Sequence, residues 1–337
     1  MRKLVLLLLL SPFVAGIERT TISGVADTQD AQDLSVQSEK LKEAASLATT
    51  VTELHRQGKY DEAIPIAKRV LTLREASLPA GDDSVVAAIT NLAELYNNVG
   101  NYRSASELYE RLLRVREKSL GKGDVKVLPI LTKLAYLSYT IGDYRKSEMS
   151  FRRILSINEE TFGDSSAEVS QAQYQLAEFY RNQRNFKQAH PLYDRALTIR
   201  LKLYSHQDER VKNLVVRYQC LLHEHDKAEM LKSLTDRLNK SYKGQASSSG
   251  VLNGIAISLP KPEYPEKARN ARVAGRVVVK VSIDELGRVT SAEDMCGGPP
   301  YITEASLEAA RKARFSPTKL SGQPVKVTGV IVYNFTR

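Results

Sequence analysis

The sequence predicts a multidomain chain: an all-α solenoid of helical hairpins, followed by a small α+β domain built on a three-stranded antiparallel sheet. Two observations predict it. A pattern of glycine, aromatic and small residues recurs every 42 residues through the middle of the chain. After Lys240 that period stops, and alternating strand patterns separated by glycine and proline breaks take over. With 337 residues, 42% of them hydrophobic, the chain is long enough for two folded domains at roughly 100–200 residues each.

In chain order, Arg2 and Lys3 precede the apolar run Leu4 to Leu10, then Ser11-Pro12 and the small residues Val14-Ala15-Gly16. A positive start, a short apolar middle and small residues make residues 1–16 a secretory signal peptide, expected to be cleaved after Gly16. A membrane-spanning anchor needs about 20 apolar residues, and Leu4 to Ile17 falls short of that with Pro12 interrupting it. The expected product is an exported, periplasmic protein, with membrane association through an uncleaved N-terminus as the alternative. Residues 17–38 read as a linker, 39–240 as the solenoid, 241–254 as a flexible linker containing Gly244 to Gly250, and 255–337 as the second domain.

The repeat is carried by residues in one phase. Gly58, Gly100 and Gly142 are each followed two residues later by Tyr60, Tyr102 and Tyr144; the next unit has Arg184 and Phe186 in those places. Ala63, Ala105, Ser147 and Ala189 follow, then Tyr109, Phe151 and Tyr193, and then Leu71, Leu113, Leu155 and Leu197. Upstream, Leu92-Ala93, Leu134-Ala135 and Leu176-Ala177 hold the same period. These residues fall at helical spacing, so each unit is two amphipathic helices. Glycine between them suits a turn that needs positive φ. Small residues let the helices approach, and acids or serine near Asp82, Asp124 and Ser165 can cap the next helix. A fifth, degenerate unit is expected, with Asp226-Lys227-Ala228 arriving three residues early.

The unit resembles the tetratricopeptide repeat, in the longer 42-residue form of kinesin light chains. The resemblance implies a solenoid whose first helices line a protein-binding groove. Asn91 and Asn98, Lys133 and Thr140, and Gln175 and Asn182 stand two turns apart on those helices, as a polar ladder for a partner's backbone.

In the second domain, Arg276 to Ile283 and Val289 to Asp294 read as a hairpin around Asp284 to Gly287, Thr303 to Arg314 as a helix, and Val325 to Phe335 as a final strand. Tyr264-Pro265, Gly275-Arg276-Val277, Gly287, Arg314-Phe315-Ser316-Pro317 and Asn334-Phe335 resemble the C-terminal domain of TonB and related energy transducers. The resemblance implies binding of an outer-membrane receptor peptide by strand addition. The open edge would be Val325, Lys326, Val327, Thr328, Gly329, Val330, Ile331, Val332 and Tyr333. Self-pairing of that edge into a dimer is the competing use. A TonB-type transducer with an uncleaved anchor is the alternative to a periplasmic adaptor, although the proline-rich rod of such transducers is missing from the sequence.

The formal charge of +10 is spread along the chain with acids between the bases, which argues against a nucleic-acid partner. Cys220 and Cys296 fall in different domains and leave two free thiols or a disulfide open, free thiols being the simpler reading. No nucleotide-binding, nucleophile-elbow or zinc-protease motif occurs in the sequence, and His223-Glu224-His225 reads as a solvated helix end. The expectation is a non-enzymatic binder of proteins, without cofactor, metal or small-molecule substrate.

Overall fold

A computed structural model of the chain describes residues 23–241, 255–320 and 322–336. The expected signal peptide, and the flexible linker beyond Ser241, lie outside the described residues. The chain divides into two compact units, one running to Lys122 and one from Gly123. The first contains α1 (Ser23–Arg56), α2 (Tyr60–Glu75), α3 (Asp83–Asn98) and α4 (Tyr102–Leu120). The second opens with α5 (Leu128–Thr140), α6 (Tyr144–Phe162), α7 (Ala167–Asn182), α8 (Phe186–Leu203), α9 (Glu209–Glu224) and α10 (Ala228–Ser241). Residues 23–38, read from the sequence as linker, belong to α1.

The 42-residue period is a backbone period first. Each hairpin turn holds one residue at positive φ: Gly58, Gly100, Gly142, Arg184 and Asp226. At every one the next residue's N–H reaches back to a carbonyl of the preceding helix, as in Lys59 to Leu54 (2.9 Å), Asn101 to Tyr96 (2.8 Å) and Lys227 to Leu222 (2.9 Å). This is the bonding that satisfies a helix's last carbonyls. Asp226 keeps the phase, so the fifth unit is not early; only its residue types have drifted. Starts recur in the same way. Asp82, Asp124, Ser166 and Asp208 accept from backbone N–H groups at the head of the next helical segment, and Asn101, Asp143 and Asn185 do so for α4, α6 and α8.

Between the helices of a hairpin, Ala63, Ala93, Ala105, Ala135, Ser147, Ala177 and Ala189 are fully buried. Close approach is visible where Ser147 Oγ donates to Ala135 O across 2.8 Å. One core position breaks the rule. Gln173 stands where the preceding units carry Leu131 and Ile89; it is completely buried, and neither its amide nitrogen nor its oxygen has a hydrogen-bond partner.

The second unit ends in the α+β domain: β1 (Ala256–Ser258), α11 (Glu266–Asn270), β2 (Gly275–Ile283), β3 (Val289–Asp294), α12 (Pro300–Arg311), β4 (Arg314–Phe315), β5 (Lys319–Leu320), β6 (Gln323–Pro324) and β7 (Val327–Phe335). Three strands form an antiparallel sheet in the order β3-β2-β7. Its inner face, with Val277, Val279, Val281 and Ile283 from β2 and Val327, Ile331, Tyr333 and Phe335 from β7, packs on Ile302, Ala309 and Ala310 of α12. The helix runs three residues earlier than expected, because Pro300 is pre-set for a first helical turn and Arg314-Phe315 leave to pair with β1. The last strand begins at Val327, since Val325 donates to Thr318 O (2.9 Å) beside the β5–β6 hairpin.

Replacing Gln173 with leucine removes an unsatisfied buried amide and restores the residue type of the repeat. Gln173→Leu is expected to raise unfolding free energy by about 1–3 kcal/mol, read as a higher denaturation midpoint with an unchanged slope.

Candidate functional site

Sheet topology leaves β7 at an edge, with β2 on one side and, among the described residues, no strand on the other. Which backbone groups face outward follows from one bond. Met295 donates its N–H to Val278 O at 2.9 Å, so the main-chain groups of Val278 point toward β3. Antiparallel pairs alternate between bonded and non-bonded. Val278 and Val332 are therefore a non-bonded pair of the β2–β7 ladder. By the same alternation Thr328, Val330, Val332 and Asn334 direct N–H and C=O away from β2, as an unpaired template nearly the length of the strand. Of the residues expected to form this edge, Val325 and Lys326 lie before the strand, and Val327 to Tyr333 lie on it. Gly329 and Ile331 bond inward to β2 by that alternation, as do Val327 and Tyr333.

The outer face of the sheet is not free either. Val278 is buried although its strand neighbours Val277 and Val279 face the core. Helix α9 covers it: Cys220, Val278 and Cys296 form a buried cluster, with Val216, Met295 and Val332 packed around it. Cys220 and Cys296 are joined as a disulfide with a Cα separation of 5.4 Å, which corrects the reading of two free thiols. The two positions are 76 residues apart, and spacing alone could not have paired them.

Charged groups close the same junction. Arg181, at the end of α7, donates to the carboxylate of Glu224 on α9 (3.2 Å from Nε) and to Cys296 O (3.2 Å). Burial works against its charge, but Glu224 and Glu178 outweigh that and hold the guanidinium pKa above its usual value. Arg276 on β2 donates to His223 O, to Asn334 Oδ1 (2.8 Å) and to Asp226 (3.4 Å). Burial, and then the charge of Arg276, lower the His223 pKa. The His223-Glu224-His225 segment is thus a docked helix end rather than a solvated one, with His225 tilted on Phe186 at 5.0 Å between ring centroids. Among the described residues no group of three or more His, Cys, Asp and Glu side chains could hold a metal ion.

The motif residues of this domain serve its fold. Tyr264 donates its hydroxyl to Val273 O (2.7 Å) and sets its ring edge-on to Phe335, while Pro265 caps α11 and Gly275 opens β2 opposite Phe335. Gly287, at φ +81°, leaves no room for a Cβ, which would sit 1.8 Å from Phe315 O; Phe315 is buried, and Pro317 is exposed beyond it. Of the six expected groove residues, two lie in the first unit and four in the second. In the first unit, Asn91 and Asn98 are exposed on α3, and the Asn98 amide lies 3.2 Å from His55 Nε2. In the second, Lys133 and Thr140 are exposed on α5, with Thr140 bonded to its own helix at Tyr136 O. Gln175 lines a hollow with Arg200 and Tyr204, whereas Asn182 lines a different cleft, beside β7.

Comparison with known proteins agrees with this architecture. Residues 52–118, 84–160 and 126–202 match the tetratricopeptide repeat model, and residues 260–336 match the model described as Gram-negative bacterial TonB protein C-terminal. No curated protein matches the chain. Similar solved structures include kinesin-light-chain TPR-like repeats from Podosopora anserina (18% identity, 60% of this chain and 97% of that one, TM-score 0.49). BtubC (BKLC) from P. vanneervenii is similar at 18% identity over 68% of this chain and 98% of that one, with a TM-score of 0.47. The apo form of RapI covers 65% of this chain and 59% of its own at 11% identity, with a TM-score of 0.50.

Closing a loop of this size constrains the unfolded chain by about 4 kcal/mol. Cys220→Ser with Cys296→Ser is expected to lower the stability of the second unit by about that amount. The cross-link itself is checked by a gel-mobility shift on reduction that the double variant lacks.

Proposed function

We infer, from a chain that joins tetratricopeptide repeats to a TonB C-terminal-type domain, that the protein is an exported adaptor of a Gram-negative envelope. In this reading the repeats hold one protein partner, and β7 takes up an extended segment of another, such as an outer-membrane receptor, as an added strand. Both modules are non-catalytic interaction modules. The observation that carries the reading is the outward-facing main chain of Thr328, Val330, Val332 and Asn334 at an edge with no strand beside it among the described residues. Affinity of such an edge comes from main-chain hydrogen bonds, so it suits a partner that arrives unstructured and extended.

Export is supported by the charged and apolar pattern of residues 1–16 and by the Cys220–Cys296 disulfide, a bond that persists in oxidising compartments. Among the described residues, no helix is long and apolar enough to cross a membrane. Mass spectrometry of the protein made in a Gram-negative host is expected to find a mature chain starting near Ile17. A chain intact from Met1 in the membrane fraction would instead give it an anchor and favour an energy transducer.

The edge is tested by Val330→Pro. Proline removes an N–H that points away from β2, a substitution an edge strand tolerates, and Val330 is exposed. Capture of envelope proteins by the immobilised full chain is expected to fall about tenfold or more while the melting temperature stays within a few degrees. Unchanged capture by the folded variant would overturn strand addition at β7.

A further inference from the structure

The C-terminal end of β7 borders a cleft. Asn334, Phe335 and Thr336 line a cleft of about 860 Å³ whose far wall belongs to the repeats, with Arg181, Asn182, Arg184 and Glu224 on one side and Arg276 on the other. A strand added along the open edge of β7 would pass Asn334, which lines this cleft. Its charge is positive: three arginines line it against one carboxylate.

Those arginines differ in what they already do. Arg181 is held by Glu224 and Glu178, and Arg276 by Asp226 and the His223 carbonyl. The guanidinium of Arg184 has no hydrogen bond or ion pair among the described residues. Arg184 also stands at φ +54°, in the turn position that Gly58, Gly100 and Gly142 fill elsewhere. A left-handed conformation costs a side-chain-bearing residue about 1–2 kcal/mol relative to glycine. Asp226, the other non-glycine in this series, tolerates the conformation better by residue type and contacts Arg276. Arg184 has no such local return, and an arginine kept in a strained turn at the lining of a cleft points to a ligand.

We propose that this cleft is a carboxylate-reading subsite for the strand added to β7: the partner is an extended peptide carrying Asp or Glu at the end that passes Asn334, and Arg184 is the residue that reads it. The proposal rests on strand addition at β7. Glu224 and Glu178 already engage Arg181, so the new carboxylate pairs with Arg184, on the repeat side of the cleft, and the repeats thereby take part in choosing the peptide bound by the C-terminal domain.

The test uses the full chain as bait for a random displayed-peptide library, with Arg184→Gly and Val330→Pro as parallel baits. Arg184→Gly installs the residue of the other turns, so its fold is expected to be at least as stable as the parent. Peptides selected by the parent chain are expected to be enriched roughly tenfold in Asp or Glu at one end, the preference a charged hydrogen bond supports. Arg184→Gly is expected to lose that enrichment while still retaining peptides, and raised salt to weaken it. Selection of peptides with no acidic bias, or a bias that survives Arg184→Gly, overturns the subsite and leaves strand addition standing. Selection that is unaffected by Val330→Pro removes strand addition itself, and the proposal with it.

Discussion

Everything distinctive about the second unit depends on the contact between α9 and the outer face of the β3-β2-β7 sheet. A three-stranded sheet has one face for its own helix, here α12, and its other face ordinarily meets water. In this chain Val278 and Val332 on that face meet Val216 and Cys220 of α9, and the Cys220–Cys296 bond fixes the contact covalently. The polar margin is satisfied in the same place, through Arg181 to Glu224 and Cys296 O and through Arg276 to His223 O. Apolar burial supplies the attraction, the arginines supply direction, and the disulfide limits what the unfolded chain can explore.

Much of this fold is legible in the sequence. The glycine, small-residue and aromatic phases located the hairpins because each answers a hard local constraint: positive φ at Gly100, close helix approach at Ala105, a core to fill at Tyr109. Where the constraint is met by another residue, the pattern misleads. Asp226 holds the left-handed turn in phase without being glycine, so a search for residue types places the fifth unit three residues early while the backbone places it on time. Helix and strand ends shifted for a comparable reason: Arg314-Phe315 leave the helical pattern to pair with β1, a partner far away in sequence.

The site was less legible, because it is made by contacts of high sequence separation. The edge strand could be named from its position in the chain, and alternation along β2 then settles which of its residues offer their main chain. The junction could not be named. Nothing in the spacing of Cys220 and Cys296 pairs them, and Arg181 gives no sign in sequence that it will be buried against a carbonyl of the other domain. Two signals were present all the same. Val277-Val278-Val279 is continuous rather than alternating, as a strand buried on both faces should be, and Arg184 occupies a glycine phase.

Covering the outer face changes what the edge can do. Side chains of a strand added to β7 would alternate between the α12 side and the α9 side, so neighbouring residues of the guest would meet two surfaces of different origin. On the α12 side they approach the core that holds Ile331 and Tyr333; on the other they approach Val332, α9 and the arginines at the end of α7. In a lone three-stranded domain the second set would face water and read little. Main-chain bonding alone accepts almost any extended peptide, and discrimination has to come from side-chain surroundings. A repeat helix packed against the sheet would give a strand added at that edge a second wall by which to be discriminated.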